Sequence, residues 1–211
     1  MTAPTDHSPA APPPPAPAAP RRVLVGITGA SGAVYGHTAL RILADLPDVE
    51  THLVITEAAR RTIAHELDVP LRRLEALADA VHDVRDIGAP PASGSFPLHG
   101  MIVAPCSVHT LSAIAFCQAD SLLLRAADVC LKERRPLVLM LRETPLHLGH
   151  IRAMAAVTEM GATVCPPVPA FYDRPRTIDD LVRASTLRAL RLLGLPGIET
   201  HIHPWQGEPP A

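Results

Sequence analysis

Hydrophobic positions follow two alternating rhythms along this chain. Short, contiguous apolar runs occupy residues 21–28, 50–56, 101–104, 137–141 and 163–165, with a weaker one at 81–87. Between them lie stretches with apolar residues every three or four positions, at 33–46, 57–67, 71–78, 109–115, 119–133, 145–160 and 178–193. Contiguous β-branched runs suit strands buried on both faces, and the longer spacing suits helices with one apolar stripe. Alternation from end to end predicts an α/β fold: a three-layer α/β/α, Rossmann-like domain around a mostly parallel sheet. Pro105 is expected to end the run at 101–104, with Ser107 or Thr110 capping the next helix.

The segments outside this alternation narrow the picture. Residues 88–99 (GAPPASGSFPLH) are too long for a plain turn and rich in Pro, Gly and Ser, which marks a candidate functional loop. Residues 1–20 are mostly Ala and Pro and have neither a basic n-region nor an apolar h-region, so a disordered tail is expected rather than a signal peptide. One domain over 21–195 follows, with a C-terminal extension over 196–211. The only tryptophan, Trp205, lies in that extension and is expected to dock. A net charge of −2 and 3% aromatic residues supply neither the basic field nor the stacking surface that nucleic acid needs. No apolar run reaches membrane-spanning length. Cys106, Cys117, Cys130 and Cys165 are scattered without CxxC spacing, which suits reduced thiols in a cytoplasmic protein. The histidines show no HxxxH or HExxH spacing, and no metal site is expected.

In a parallel sheet, ligands sit beyond the carboxyl ends of the strands. The first strand ends in Gly29-Ala30-Ser31-Gly32 and opens a helix. Small residues there let backbone amides face an anion, and Ser31 stands where a helix-capping hydroxyl would. The spacing is neither the dinucleotide fingerprint nor a P-loop, so an anion site and a tightly packed turn both fit. Other strand ends offer Thr56, Ser93 and Ser95 on the long loop, and Ser107 with Thr110. Arg142-Glu143 directly follows an apolar run and either caps the sheet against solvent or faces a ligand. Arg125, Lys132, Arg142 and Arg188 are cations suited to phosphate, although Arg125 and Lys132 equally fit a solvated helix face. Glu66, Glu143 and Tyr172 are candidate proton carriers. No DDxxD motif is present to hold magnesium-bound diphosphate, so an allylic phosphate reacting here would need cationic side chains at its leaving group.

Five segments in register, GITGASGAVYG, PASGSF, APCSVHTLSAIA, RAADVCLKERRPLVLMLRETPLHLGH and PPVPAFYDRP, resemble the UbiX-type flavin prenyltransferases from about Arg22 to Gly207. The resemblance implies a metal-independent enzyme that binds reduced FMN and attaches a dimethylallyl group from dimethylallyl monophosphate to N5 and C6. Phosphate is released, and prenylated FMN passes to a UbiD-type decarboxylase, as in ubiquinone biosynthesis. It also implies a homo-oligomer, a dodecamer, with the site at subunit contacts. By the same resemblance, Gly29, Ala30, Ser31, Thr56, Ser107, Val108, His109, Thr110 and Arg142 bind the flavin. Tyr172, Arg188, Lys132, Arg125 and Ser93 bind the prenyl phosphate. Glu143 is the acid/base residue with Ser31 assisting, Glu66 is a second carboxylate from a neighbouring subunit, and Trp205 lies near the site. His109 stands at a position the family varies and is given no catalytic role. Ser121 and Leu124 depart from the family's usual residues around Arg125. Two other readings are an FMN carrier without transferase activity and a flavin-dependent cysteine decarboxylase. The latter typically has a catalytic His after its first helix and a PASANT-like loop, where this chain reads Pro91-Ala92-Ser93-Gly94-Ser95.

Overall fold

Six strands pair in the order β3-β2-β1-β4-β5-β6, every neighbouring pair parallel. The computed structural model describes residues 19–172 and 174–201. In chain order the elements are β1 (Arg21–Ile27), α1 (Ala33–Ala44), β2 (Val49–Ile55), α2 (Glu57–Glu66), α3 (Leu71–Glu75), β3 (Ala80–His82), β4 (Leu98–Cys106), α4 (Val108–Ala115), α5 (Leu122–Lys132), β5 (Leu137–Leu141), α6 (Leu148–Glu159), β6 (Thr163–Val164) and α7 (Ile178–Arg191). The expected three-layer α/β/α architecture is the one observed.

Period-two alternation in the central strands divides the core. Val23, Val25 and Ile27 of β1 pack with Leu40, Leu43, Ile63 and Leu190 on the side of α1, α2 and α7. Leu24, Met101, Val103 and Leu139 pack with Leu111, Leu123 and Val157 on the side of α4, α5 and α6. Each fully buried leucine or isoleucine contributes roughly 1.5–3 kcal/mol. Two cores on one sheet hold the strand ends rigidly, and this is what a site at those ends requires. Ile198 is also fully buried in the first core, so the packed structure runs past the boundary expected at 195. Trp205 lies outside the described residues.

Several element limits differ from the sequence expectation for local reasons. Pro105 sits inside β4 rather than ending it, through a cis Ala104–Pro105 peptide. The β4–β5 register shifts between Val103 and Cys106, and this irregularity accommodates a residue that cannot donate to the ladder. The helix expected over 119–133 begins only at Leu122, because the Ser121 hydroxyl accepts the Leu124 amide at 3.4 Å and caps it there. The weak run at 81–87 forms only the short β3, and the chain then turns through Asp83 and Asp86. Among the described residues, no helix is long and apolar enough to cross a membrane.

Candidate active site

The strand order reverses between β1 and β4, so the crevice expected of a doubly wound sheet opens at their carboxyl ends. The buried Thr28 hydroxyl joins the two ends. It donates to the Pro105 carbonyl at 2.7 Å and accepts the Ser107 amide at 2.8 Å. Ser107 then caps α4, its hydroxyl accepting from the Thr110 amide at 3.2 Å and lying 3.1 Å from the Thr110 hydroxyl. The first-turn amides of Val108 and His109 have no intrahelical acceptor, and α4 starts directly after the carboxyl end of β4. Two hydroxyls, open amides and a helix amino terminus form a donor set that fits a flavin phosphate. The Arg142 amide donates to the Cys106 carbonyl at 3.0 Å, which fixes the end of β5 beside the same crevice. Burial pushes the Cys106 thiol up to about 12, which favours its protonated form.

The Gly29–Gly32 turn is built differently from the expectation. Ser31 does not cap α1; Gly32 does, in the left-handed conformation at φ 104°, with no side-chain cap of its own. The cap comes from Glu66, at the far end of α2, whose carboxylate accepts the Gly32 and Ala33 amides at 2.8 and 2.9 Å. Burial raises the Glu66 carboxyl, but the Ser31 hydroxyl, the two amides and the Arg142 charge outweigh it and hold the group below its ordinary 4.5. Resemblance implies a role for Glu66 in a neighbouring subunit's site; within its own chain its carboxylate is bound to the Gly29–Gly32 turn. A side chain at Gly29 would run into Ala58, so α2 is pressed against this turn. Thr56 caps α2, accepting the Ala59 amide at 3.2 Å. Tyr35 lies in the first turn of α1, its hydroxyl raised by burial and lowered by the nearby Arg142 charge.

Arg142 is exposed, and its charge acts on the Glu66 carboxyl and the Tyr35 hydroxyl. Glu143 is half-buried beside it, one carboxylate oxygen accepting the Thr144 amide at 2.9 Å. Arg188 on α7 is near enough to Cys165, which follows β6, to lower that thiol against the dominant effect of burial. Tyr172 is exposed on the segment after β6.

Arg125, Lys132 and Ser93 form a separate surface. The Arg125 side chain donates to the Ala92 carbonyl at 3.1 Å and pairs with Asp128 at 2.6 Å. Lys132 pairs with Glu133, close to Gly94. Arg135 donates to the Gly94 and Phe96 carbonyls at 2.6 and 2.7 Å and so clamps the loop that carries Ser93. Lys132 ends α5 and precedes the first residue of β5, so it sits at the amino-terminal end of the sheet, whereas Arg142 follows the last residue of β5. The length of β5 alone separates the two ends by about 13 Å at the usual rise per residue. Lys132 and Arg142, grouped by sequence, therefore stand at opposite ends of β5 within one chain.

The flavoprotein family profile matches residues 14–186. The chain is 53% identical to flavin prenyltransferase UbiX of Escherichia coli strain K12 over 187 residues, covering 89% of this chain and 99% of that protein. It is 56% identical to flavin prenyltransferase UbiX of Thauera aromatica over 169 residues, covering 80% and 87%. The chain belongs to the UbiX-type flavin prenyltransferases. Among solved structures it is similar to AnUbiX (PadA1) in complex with FMN and dimethylallyl pyrophosphate, at TM-score 0.85 and 48% identity, covering 90% of this chain and 100% of that one. It is also similar to a dodecameric FMN-dependent UbiX-like decarboxylase from Escherichia coli O157:H7, at TM-score 0.83 and 46% identity, covering 88% and 100%. The cysteine decarboxylase TvaF shares the fold alone, at 16% identity and TM-score 0.59.

Three features of this prenyltransferase lay beyond sequence reading. Thr28 read as the tail of an apolar run, and Arg135 was assigned no role. The Glu66 cap joins residues 34 positions apart, and no local pattern announces it. It has a measurable signature. Because the folded-state carboxyl is depressed, the stabilisation from Glu66 is complete above its ordinary 4.5 and is lost as pH falls through the lower folded value. Glu66→Gln is expected to melt at lower temperature than the parent near neutral pH, with the difference closing in acid below 4.5. Paired thermal melts across pH check this, and a difference independent of pH would refute it.

Proposed function

We propose that this chain joins a dimethylallyl group from dimethylallyl monophosphate to reduced FMN and yields prenylated FMN for a UbiD-type decarboxylase. The observation that carries this reading is the fused pair of turns at the β1–β4 switch point, with Arg142-Glu143 beside it. Ser107, Val108, His109 and Thr110 hold the flavin phosphate; Gly29, Ala30, Ser31, Thr56 and Arg142 line the rest of the flavin site. Reduced FMN, when bound, supplies the electron-rich atoms that displace the allylic phosphate. Tyr172 and Arg188 grip that phosphate, and the cationic side chain stabilises charge as it leaves. Attack at an aromatic carbon ends in loss of a proton, which the Glu143 carboxylate takes, with the Ser31 hydroxyl as relay. Glu66 acts through Ser31, holding its hydroxyl and the turn in place.

Arg125, Lys132 and Ser93 complete the phosphate site from a neighbouring copy. The placement of Lys132 and Arg142 at opposite ends of β5 supports such an arrangement. Exposed Phe116, Val168, Phe171 and Ile178 supply apolar area for association. We place the assembly as a dodecamer, like the Escherichia coli O157:H7 relative, and in the cytoplasm, where thiols such as Cys106 and Cys130 stay reduced.

Anaerobic incubation with reduced FMN and dimethylallyl monophosphate is expected to give a flavin heavier by one prenyl unit in mass spectrometry. A parallel incubation with the diphosphate tests the donor. Tight FMN binding with no mass gain from either donor would favour the carrier reading and overturn this one.

A further inference from the structure

We propose that Thr28 is a positioning residue for the flavin phosphate: its hydroxyl fixes the amino terminus of α4 against the end of β1. The inference rests on the reading that α4 takes that phosphate.

The need for the hydroxyl follows from Pro105. A proline within β4 has no amide to donate, and the β4–β5 ladder loses register there. The Pro105 carbonyl and the Ser107 amide consequently fall off the regular ladder at the point where the chain must turn into α4. Thr28, 1% exposed, supplies both missing partners. Its hydroxyl donates to the Pro105 carbonyl at 2.7 Å and accepts the Ser107 amide at 2.8 Å, while its own amide donates to the same carbonyl at 3.3 Å. The chain of contacts continues through the Ser107 hydroxyl to the Thr110 amide and hydroxyl. One buried hydroxyl thus sets where the α4 donors stand relative to the Gly29–Gly32 turn.

Valine matches the shape of threonine and removes both hydroxyl hydrogen bonds, leaving the Ser107 amide without its partner and the Pro105 carbonyl with only the longer bond from the residue 28 amide. Thr28→Val is expected to bind FMN about tenfold more weakly and to bind riboflavin, which has no phosphate, as the parent does. Thr28→Ser restores the hydroxyl and is expected to bring FMN affinity back to within about twofold of the parent. Fluorescence titrations of both flavins against the three proteins read this directly. Equal weakening for FMN and riboflavin would mark a general structural defect and overturn the proposal, as would unchanged FMN affinity in Thr28→Val. Should the parent itself bind FMN and riboflavin equally, the phosphate assignment of α4 fails first, and the proposal with it. Amide exchange in the unliganded parent tests the contact even where Thr28→Val does not fold. The Ser107 amide is expected to be strongly protected, and exchange at the rate of an open loop amide would refute the contact.

Discussion

Glu143→Gln is expected to reduce prenylated-flavin formation by about 10²–10⁴-fold, the range general acid–base catalysis supplies, while leaving FMN affinity within about twofold. The glutamine amide has the shape of the carboxylate, and its oxygen still accepts the Thr144 amide as the Glu143 oxygen does at 2.9 Å. The side chain therefore stays in place and loses only its ability to take a proton. Quantifying product by mass spectrometry in anaerobic single-turnover reactions, alongside flavin titrations, separates the two effects. Turnover at the parental rate would remove Glu143 from the proton path and leave the Ser31–Glu66 pair to be tested in its place.

A second large effect is expected from mixing subunits. Lys132→Ala and Glu143→Gln should each be nearly inactive alone, Lys132→Ala through loss of about 10²–10³-fold in leaving-group stabilisation. If each site takes Glu143 from one chain and Lys132 from another, oligomers assembled from both variants contain some sites built entirely from intact halves. With random mixing, about a quarter of sites are complete, so activity should return to about a quarter of the parental value. Differently tagged variants, co-expressed and purified through both tags, provide the material. Mixed oligomers no more active than either variant would show that both residues act from the same chain. This expectation follows from the positions of the two residues at opposite ends of β5, not from their residue types.

Different parts of the protein were legible in the sequence to different degrees, for physical reasons. Strand and helix identity is written locally, in apolar runs and helical spacing, so the layered fold and nearly every element could be read. The strand ends were legible too, since small and hydroxyl residues collect where backbone must face a ligand. Ser31 misled because a serine at the start of a helix usually caps it, whereas here a carboxylate 34 residues downstream from Gly32 outcompetes it. The placement of Lys132 was not legible from its residue type, because charge says nothing about which end of a sheet a residue occupies. The chain order does contain that information: a helix that returns to start the next parallel strand must finish at the sheet's amino-terminal end. Pro105 was assigned to the edge of its strand, because no sequence signal marks the register shift that admits it.

The Arg135 clamp has a consequence for how this enzyme can be altered. Its guanidinium holds the loop through two main-chain carbonyls, at Gly94 and Phe96, and not through any loop side chain. Loop shape and loop side-chain chemistry are therefore separable properties. Position 95 is exposed, and its side chain can be changed while the Arg135 clamp beneath it stays fixed, whereas the Ser93 hydroxyl also accepts the Ser95 amide at 3.3 Å. Changes at position 95, with Arg135 and Ser93 retained, therefore alter the chemistry of the loop surface without altering its course.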